Sequence, residues 1–264
     1  MEMDVMLRVT TVGELPLSVR DYGGSGQDVL LLHGGGRQAA DWDPFAAVLL
    51  ENGLRPVAMD LRSHGESGSA PWSWSAASSD VSAVVEALGL SRPIVIGHSL
   101  GGMVAAVWAT EHPECRFAVN LDGHGNPTRP DQLLDMDEVA ADWAFAHLAE
   151  ELEDMAKGMD DELRVIMREI DALDLFATYR AARCPLLVVT GDLGSEYAML
   201  FNEPAGQAWS AGFAWLKQQL ARLDAESPLV TCASMPTGHD PHREDPDGLA
   251  LLIAEHFEGF VDLR

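Results

Sequence analysis

A serine set between two glycines, where an apolar run meets a small-residue segment, constrains this chain more than any other feature. The stretch is Pro93-Ile94-Val95-Ile96-Gly97-His98-Ser99-Leu100-Gly101-Gly102, and it continues as Met103-Val104-Ala105-Ala106-Val107-Trp108-Ala109. The β-branched run predicts a short buried strand, and the alanine-rich run predicts a helix. A serine on so sharp a strand-to-helix turn needs neighbours without bulk, which Gly97 and Gly101 supply. The start of a helix also offers unpaired N–H groups and the positive end of the helix dipole, both suited to a developing oxyanion. Ser99 is therefore a candidate nucleophile.

The rest of the chain reads as an alternation of strands and helices. Val29-Leu30-Leu31-Leu32 ends at His33-Gly34-Gly35-Gly36, and Pro56-Val57-Ala58-Met59-Asp60 runs into Leu61-Arg62-Ser63-His64-Gly65. Val81, Val84, Val85 and Leu88 mark an amphipathic helix over residues 78–90, stopped by Gly89. Further strands are expected at Phe117–Leu121, Pro185–Thr190 and Leu229–Ala233. Short apolar strands separated by helices imply a parallel sheet with helices on both faces, and such sheets place their sites beyond the strands' C-terminal ends. Two stretches break the alternation. Residues 125–183 carry helical periods over Leu133–Leu152 and Leu163–Phe176 with no strand, and a helix is expected over Trp209–Leu223.

Four motifs then stand in a familiar order: His33-Gly34 with Trp42 downstream, Asp60-Leu61-Arg62-Ser63-His64-Gly65-Glu66-Ser67, Gly97-His98-Ser99-Leu100-Gly101-Gly102, and Gly238-His239 followed by Glu244-Asp245-Pro246. In these the chain resembles the α/β-hydrolase superfamily over nearly its whole length. It is most similar to the capped single-domain bacterial serine hydrolases of esterase or lactonase type. The resemblance implies a mostly parallel eight-stranded sheet with helices on both faces. It divides the chain into a core of residues 1–124 and 184–264 and a helical cap of residues 125–183 inserted after the sixth strand.

The resemblance also implies roles. Ser99 would be the nucleophile and His239, directly after the glycine, its general base. Backbone N–H groups of Gly35 and Leu100 would form the oxyanion hole. Gly34, His98, His124 and Trp143 are candidates for contact with substrate. The acid is ambiguous. The family usually carries it three residues beyond the glycine that closes the seventh strand, but here that position is Gly194. Asp122, after the sixth strand in Asn120-Leu121-Asp122-Gly123, is favoured; Asp192 is the alternative, and Glu196 a more distant one.

A serine in place of an aspartate nucleophile excludes the dehalogenase and epoxide hydrolase branches. Ester or lactone cleavage on a relatively hydrophobic substrate is the leading expectation. Thioester hydrolysis, carbon–carbon hydrolysis and a catalytically weak binding role are the alternatives. Leu148, Leu152, Met155, Met159, Leu163 and Met167 recur at roughly helical spacing, either packing the cap on the core or lining an adaptable apolar pocket.

Composition narrows the partners. With 42 acidic against 17 basic residues and a net charge of −25, nucleic acid and anionic membrane are not expected partners. A small-molecule substrate and a monomer or homodimer are expected. Cys115, Cys184 and Cys232 have no ligand-like spacing and suit a reducing compartment, and the first residues lack a secretory pattern, so a cytoplasmic location is expected. No metal or organic cofactor is expected, because no clustered ligand spacing or dinucleotide fingerprint is present.

Overall fold

The fold is described from a computed structural model, which places residues 6–12 and 15–257. Eight strands form one sheet: β1 (Met6–Val12), β2 (Leu15–Asp21), β3 (Asp28–Leu32), β4 (Arg55–Met59), β5 (Ile94–His98), β6 (Phe117–Leu121), β7 (Leu186–Gly191) and β8 (Val230–Met235). Their spatial order is β1-β2-β4-β3-β5-β6-β7-β8. The pairs from β4 through to β8 are parallel, and only β1 and β2 run antiparallel to their neighbours. The α/β expectation holds. The first two strands were not among those read from apolar runs, although Leu15, Leu17 and Val19 alternate as a half-buried strand should.

The helices are α1 (Asp43–Glu51), α2 (Trp74–Ala87), α3 (Leu100–Ala109), α4 (Glu138–Ala156), α5 (Asp161–Ala172), α6 (Leu175–Arg180), α7 (Ala205–Glu226), α8 (Pro241–Glu244) and α9 (Pro246–His256). They cover both faces of the sheet. Leu30, Leu32 and Val95 face a cluster that includes α2 and α3, while Leu31, Ile94 and Ile96 face one that includes α1 and α9. Central strands buried on both faces explain the unbroken apolar runs in the sequence.

Caps set several boundaries. Ser73 accepts a hydrogen bond from the Ala76 N–H, so α2 begins four residues earlier than its apolar period suggests. The helical period expected over Leu163–Phe176 is two helices, because Asp174 breaks it and caps α6 by accepting from the Ala177 N–H at 2.9 Å. Between β6 and β7 the described residues form α4, α5 and α6 and no strand.

The turn after β4 is held by charge. Arg62 donates from Nε and Nη2 to both carboxylate oxygens of Asp80 at 2.7 and 2.8 Å, and also reaches the carbonyls of Pro71 and Ala76. The pair is nearly dry, with side chains 10% and 2% exposed. Removing one partner leaves the other charge buried and uncompensated. Asp80→Ala is expected to cost about 3–5 kcal/mol of unfolding free energy in a denaturant titration.

Candidate active site

The site begins with backbone crowding. A Cβ at Gly97 would lie 2.0 Å from the Gly101 carbonyl oxygen, and one at Gly101 would lie 2.3 Å from the Leu32 carbonyl oxygen. Helix α3 is thereby drawn against β5 and the end of β3 closely enough that only glycine fits. Between them Ser99 takes φ 50° and ψ −117°. A non-glycine residue in the left-handed region costs on the order of 1–3 kcal/mol, held here by the surrounding packing. Leu100 opens α3, so its N–H has no partner within the helix.

The loop after β3 lies against this turn. A Cβ at Gly34 would stand 3.2 Å from the Ser99 Cβ and 2.9 Å from His98 Nδ1, and one at Gly35 would meet the Leu100 side chain at 3.8 Å. Leu163 of α5 approaches the same Gly35 position at 4.0 Å, so the helical segment reaches over the loop. His33 holds the loop from beneath. Its Nδ1–H donates to the Gly34 carbonyl at 2.7 Å and its Nε2 accepts from the Leu61 N–H at 3.0 Å. Burial lowers this imidazole to about 4, so the ring stays neutral and can fill both roles.

His239 meets Asp122. Its Nδ1 lies 2.7 Å from Asp122 Oδ2, and the other carboxylate oxygen accepts the Gly191 N–H at 2.9 Å. Burial alone would raise the Asp122 carboxyl, but hydrogen bonding from His239 and Gly191 and the nearby His124 hold it below the usual carboxylate range. An ionised carboxylate only accepts, so Nδ1 of His239 carries the proton of this contact. Asp122 reaches this position because its turn is locked. Asn120 donates to the Gly123 carbonyl and to the Tyr179 hydroxyl and accepts the Gly123 N–H, and Asp122 itself sits at φ 49°. Aspartate tolerates that conformation better than most residues.

The other predicted residues fall into place or out of it. Asp192 has other partners, accepting from Lys217 at 2.8 Å and from Ser234 at 3.1 Å. The Glu196 side chain lies outside the described residues. His124 Nε2 lies 3.7 Å from Asp122 Oδ1. His98 is buried behind Ser99, and its Nε2–H donates to the His239 carbonyl at 2.7 Å, so it ties the His239 loop to β5. The expectation for Trp143 is corrected. It is 58% exposed and packs its edge on His147, because the inward face of α4 is set by Ala141, Ala144 and Leu148. Of the apolar series, Leu148 is core, whereas Leu152, Met155, Met159 and Met167 line a cavity of about 1060 Å³.

Further contributors carried no motif. Tyr197 Oη accepts the His239 N–H at 3.2 Å. Arg37 donates to Asp41 and Asp240 at 2.8 Å each, joining the loop after β3 to the residue following His239. A lone Tyr, Arg or Asp in loops distant in sequence offers no spacing by which to find them.

Residues 29–250 match the model of the alpha/beta hydrolase family, and the chain belongs to that family. A serine hydrolase-like protein of Danio rerio is 29% identical over 73% of this chain and 55% of its own length. Protein phosphatase methylesterase 1 of Rattus norvegicus is 44% identical over 35% of this chain and 26% of its own length. The chain thus spans from about a quarter to about half the length of these curated relatives. The enol-lactonase of Burkholderia xenovorans LB400 shares the fold, with a TM-score of 0.65 at 18% identity over 94% of this chain and 98% of that one. No helix among the described residues is long and apolar enough to cross a membrane.

His242, the second residue of α8, packs its ring 4.4 Å from Trp42 and 4.6 Å from His98, and neither of its nitrogens has a hydrogen-bond partner among the described residues. Burial, then the neighbouring His98, lowers it to about 2. The unfolded chain takes up a proton near pH 6.5 that the native ring refuses, so stability falls as pH drops below that value. His242→Phe keeps the ring and removes one such proton. Denaturant titrations between pH 6 and 4 should show a stability slope shallower than wild type by about 1.4 kcal/mol per pH unit.

Proposed function

We propose that this chain is a serine hydrolase that cleaves a carboxylic ester or lactone of a relatively hydrophobic small molecule through an acyl-enzyme on Ser99. The observation that carries the reading is the 2.7 Å contact between His239 Nδ1 and Asp122 Oδ2, made beside the strained turn that presents Ser99. His239 Nε2 takes the hydroxyl proton as Ser99 Oγ attacks the carbonyl carbon. The N–H groups of Gly35 and Leu100 receive the negative oxygen of the tetrahedral intermediate. Collapse breaks the bond to the leaving oxygen, which accepts the proton from His239. Water then attacks the acyl-enzyme with its proton going to His239, and release of the acid restores Ser99.

Asp122 acts as the acid that fixes the His239 tautomer and stabilises the imidazolium. Gly34 and His124 stand close enough to border the substrate, and His98 positions the His239 loop. Residues 125–183 serve as a cap over the core of residues 1–124 and 184–264, supported by the approach of Leu163 to the Gly35 loop. A cytoplasmic monomer or homodimer acting without a cofactor completes the reading.

The named relatives favour ester chemistry. Beside the methylesterase, a bifunctional esterase/perhydrolase of Acinetobacter calcoaceticus is 34% identical over 40% of this chain and 39% of its own length. A p-nitrophenyl ester assay should show turnover that Ser99→Ala abolishes; serine-independent or absent turnover would favour a ligand-binding role. Asp122→Asn is expected to lower kcat by about three to four orders of magnitude, whereas Asp192→Asn stays within about twofold. The reverse pattern would move the acid to Asp192.

A further inference from the structure

We infer that the cavity beside His124 is a subsite for a small organic cation, so that the substrate of the proposed hydrolase carries an alkylated ammonium group. The substrate class depends on the serine hydrolase reading, whereas the subsite stands on the cavity's own residues.

The cavity, of about 320 Å³, adjoins the catalytic residues without containing them, and Met103 and His124 stand in its wall. Met103 donates its N–H to the Ser99 carbonyl at 3.1 Å, and His124 Nε2 lies 3.7 Å from Asp122 Oδ1. Ile170 and Asp171 of α5 belong to the same wall. A Cβ at Gly125 would meet Ile170 Cγ2 at 3.5 Å, so the end of α5 packs on the loop that follows Asp122. A space of this size takes a small organic group.

Four aromatic side chains, Phe176, Trp209, Phe213 and Trp215, complete the enclosure. The Phe176 and Trp215 rings stand at 89° with centroids 5.8 Å apart, giving two perpendicular walls. Trp209 is fixed by donating its indole N–H to the Gly194 carbonyl at 3.0 Å. Aromatic faces attract cations through their negative charge density, alkylated ammonium groups among them. The rings alone would also suit a neutral apolar group.

Asp171 decides between the two. Its side chain has no hydrogen bond or ion pair among the described residues. Neither Arg168, one turn earlier on α5, nor Arg129, which pairs with Asp131 at 3.0 Å, forms an ion pair with it. Asp171 is solvent-accessible, so a ligand can reach it, and partial burial raises its carboxyl from the ordinary value. A neutral ligand would strip water from this carboxylate and return nothing. An anion would meet it together with Asp174 of the same wall, in a chain of net charge −25. A cation gains from the carboxylate and the rings at once.

Choline and neohexyl alcohol test this, because they have nearly the same shape and differ in carrying a trimethylammonium or a tert-butyl group. Titrated into the Ser99→Ala protein and followed by tryptophan fluorescence, choline is expected to bind about tenfold more tightly. Asp171→Asn should bring the two affinities within about twofold, with the melting temperature reporting that the fold is kept. On the wild-type enzyme, acetylcholine should be hydrolysed with a kcat/KM about tenfold above that of neohexyl acetate, the difference residing in KM. Equal affinities for the two alcohols, or a choline preference that survives Asp171→Asn, would overturn the subsite. A choline preference with equal cleavage of the two esters would overturn the substrate class. A choline preference without Ser99-dependent cleavage of either ester would remove the hydrolase reading and leave the subsite standing.

Discussion

The close approach of α3 to the central strands is the constraint on which the rest depends. Gly97 and Gly101 let main chain meet main chain where any side chain would collide, and the turn between them accepts a positive φ at Ser99. That strain is affordable because β3, β5 and β6 are buried on both faces, leaving the turn no room to relax. The same approach brings the Gly34–Gly35 loop against Leu100, so the glycine-rich loop and the helix start are assembled by one packing event. Without it, neither would face Ser99.

Around this fixed point the structure ties loops together with polar contacts. His98 joins β5 to the His239 loop, His33 joins the Gly34 loop to the turn after β4, and Arg37 joins the Gly34 loop to Asp240. Each connects segments far apart in sequence. The two histidines are neutral because burial lowers His33 to about 4 and His98 to about 3, so each offers one donor and one lone pair. Neutral rings in dry surroundings hold geometry without the desolvation penalty of a charge. The Arg37–Asp240 tie is a partly exposed ion pair, whereas the two histidine ties depend on buried, neutral rings.

Much of the scaffold was legible in residue order because it rests on local physics. The central strands are runs of Val, Leu and Ile between glycines, and the helices announce themselves by period and cap. What escaped notice was decided by context. The hairpin of β1 and β2 lies at the sheet edge, where alternation is weaker than a buried run, and the helix expected over Leu163–Phe176 divides where Asp174 prefers capping to continuing. Trp143 looked like an aromatic wall by type alone; its register on α4 turns it to solvent.

At the site the division is sharper. Sequence offered Ser99 as a candidate nucleophile, because such a turn needs small neighbours, and through the family resemblance it offered His239, directly after a glycine, as the candidate base. It left Asp122 and Asp192 as rivals, since both follow strand ends and both carry the right group. Only the tertiary structure separates their surroundings: Asn120 and Tyr179 hold the Asp122 turn so that its carboxylate meets His239, while Lys217 and Ser234 occupy Asp192. Tyr197 and Arg37 likewise have meaning only in three dimensions. Distances between strand-end loops are set by how the sheet stacks its neighbours, and no local spacing in the chain encodes them.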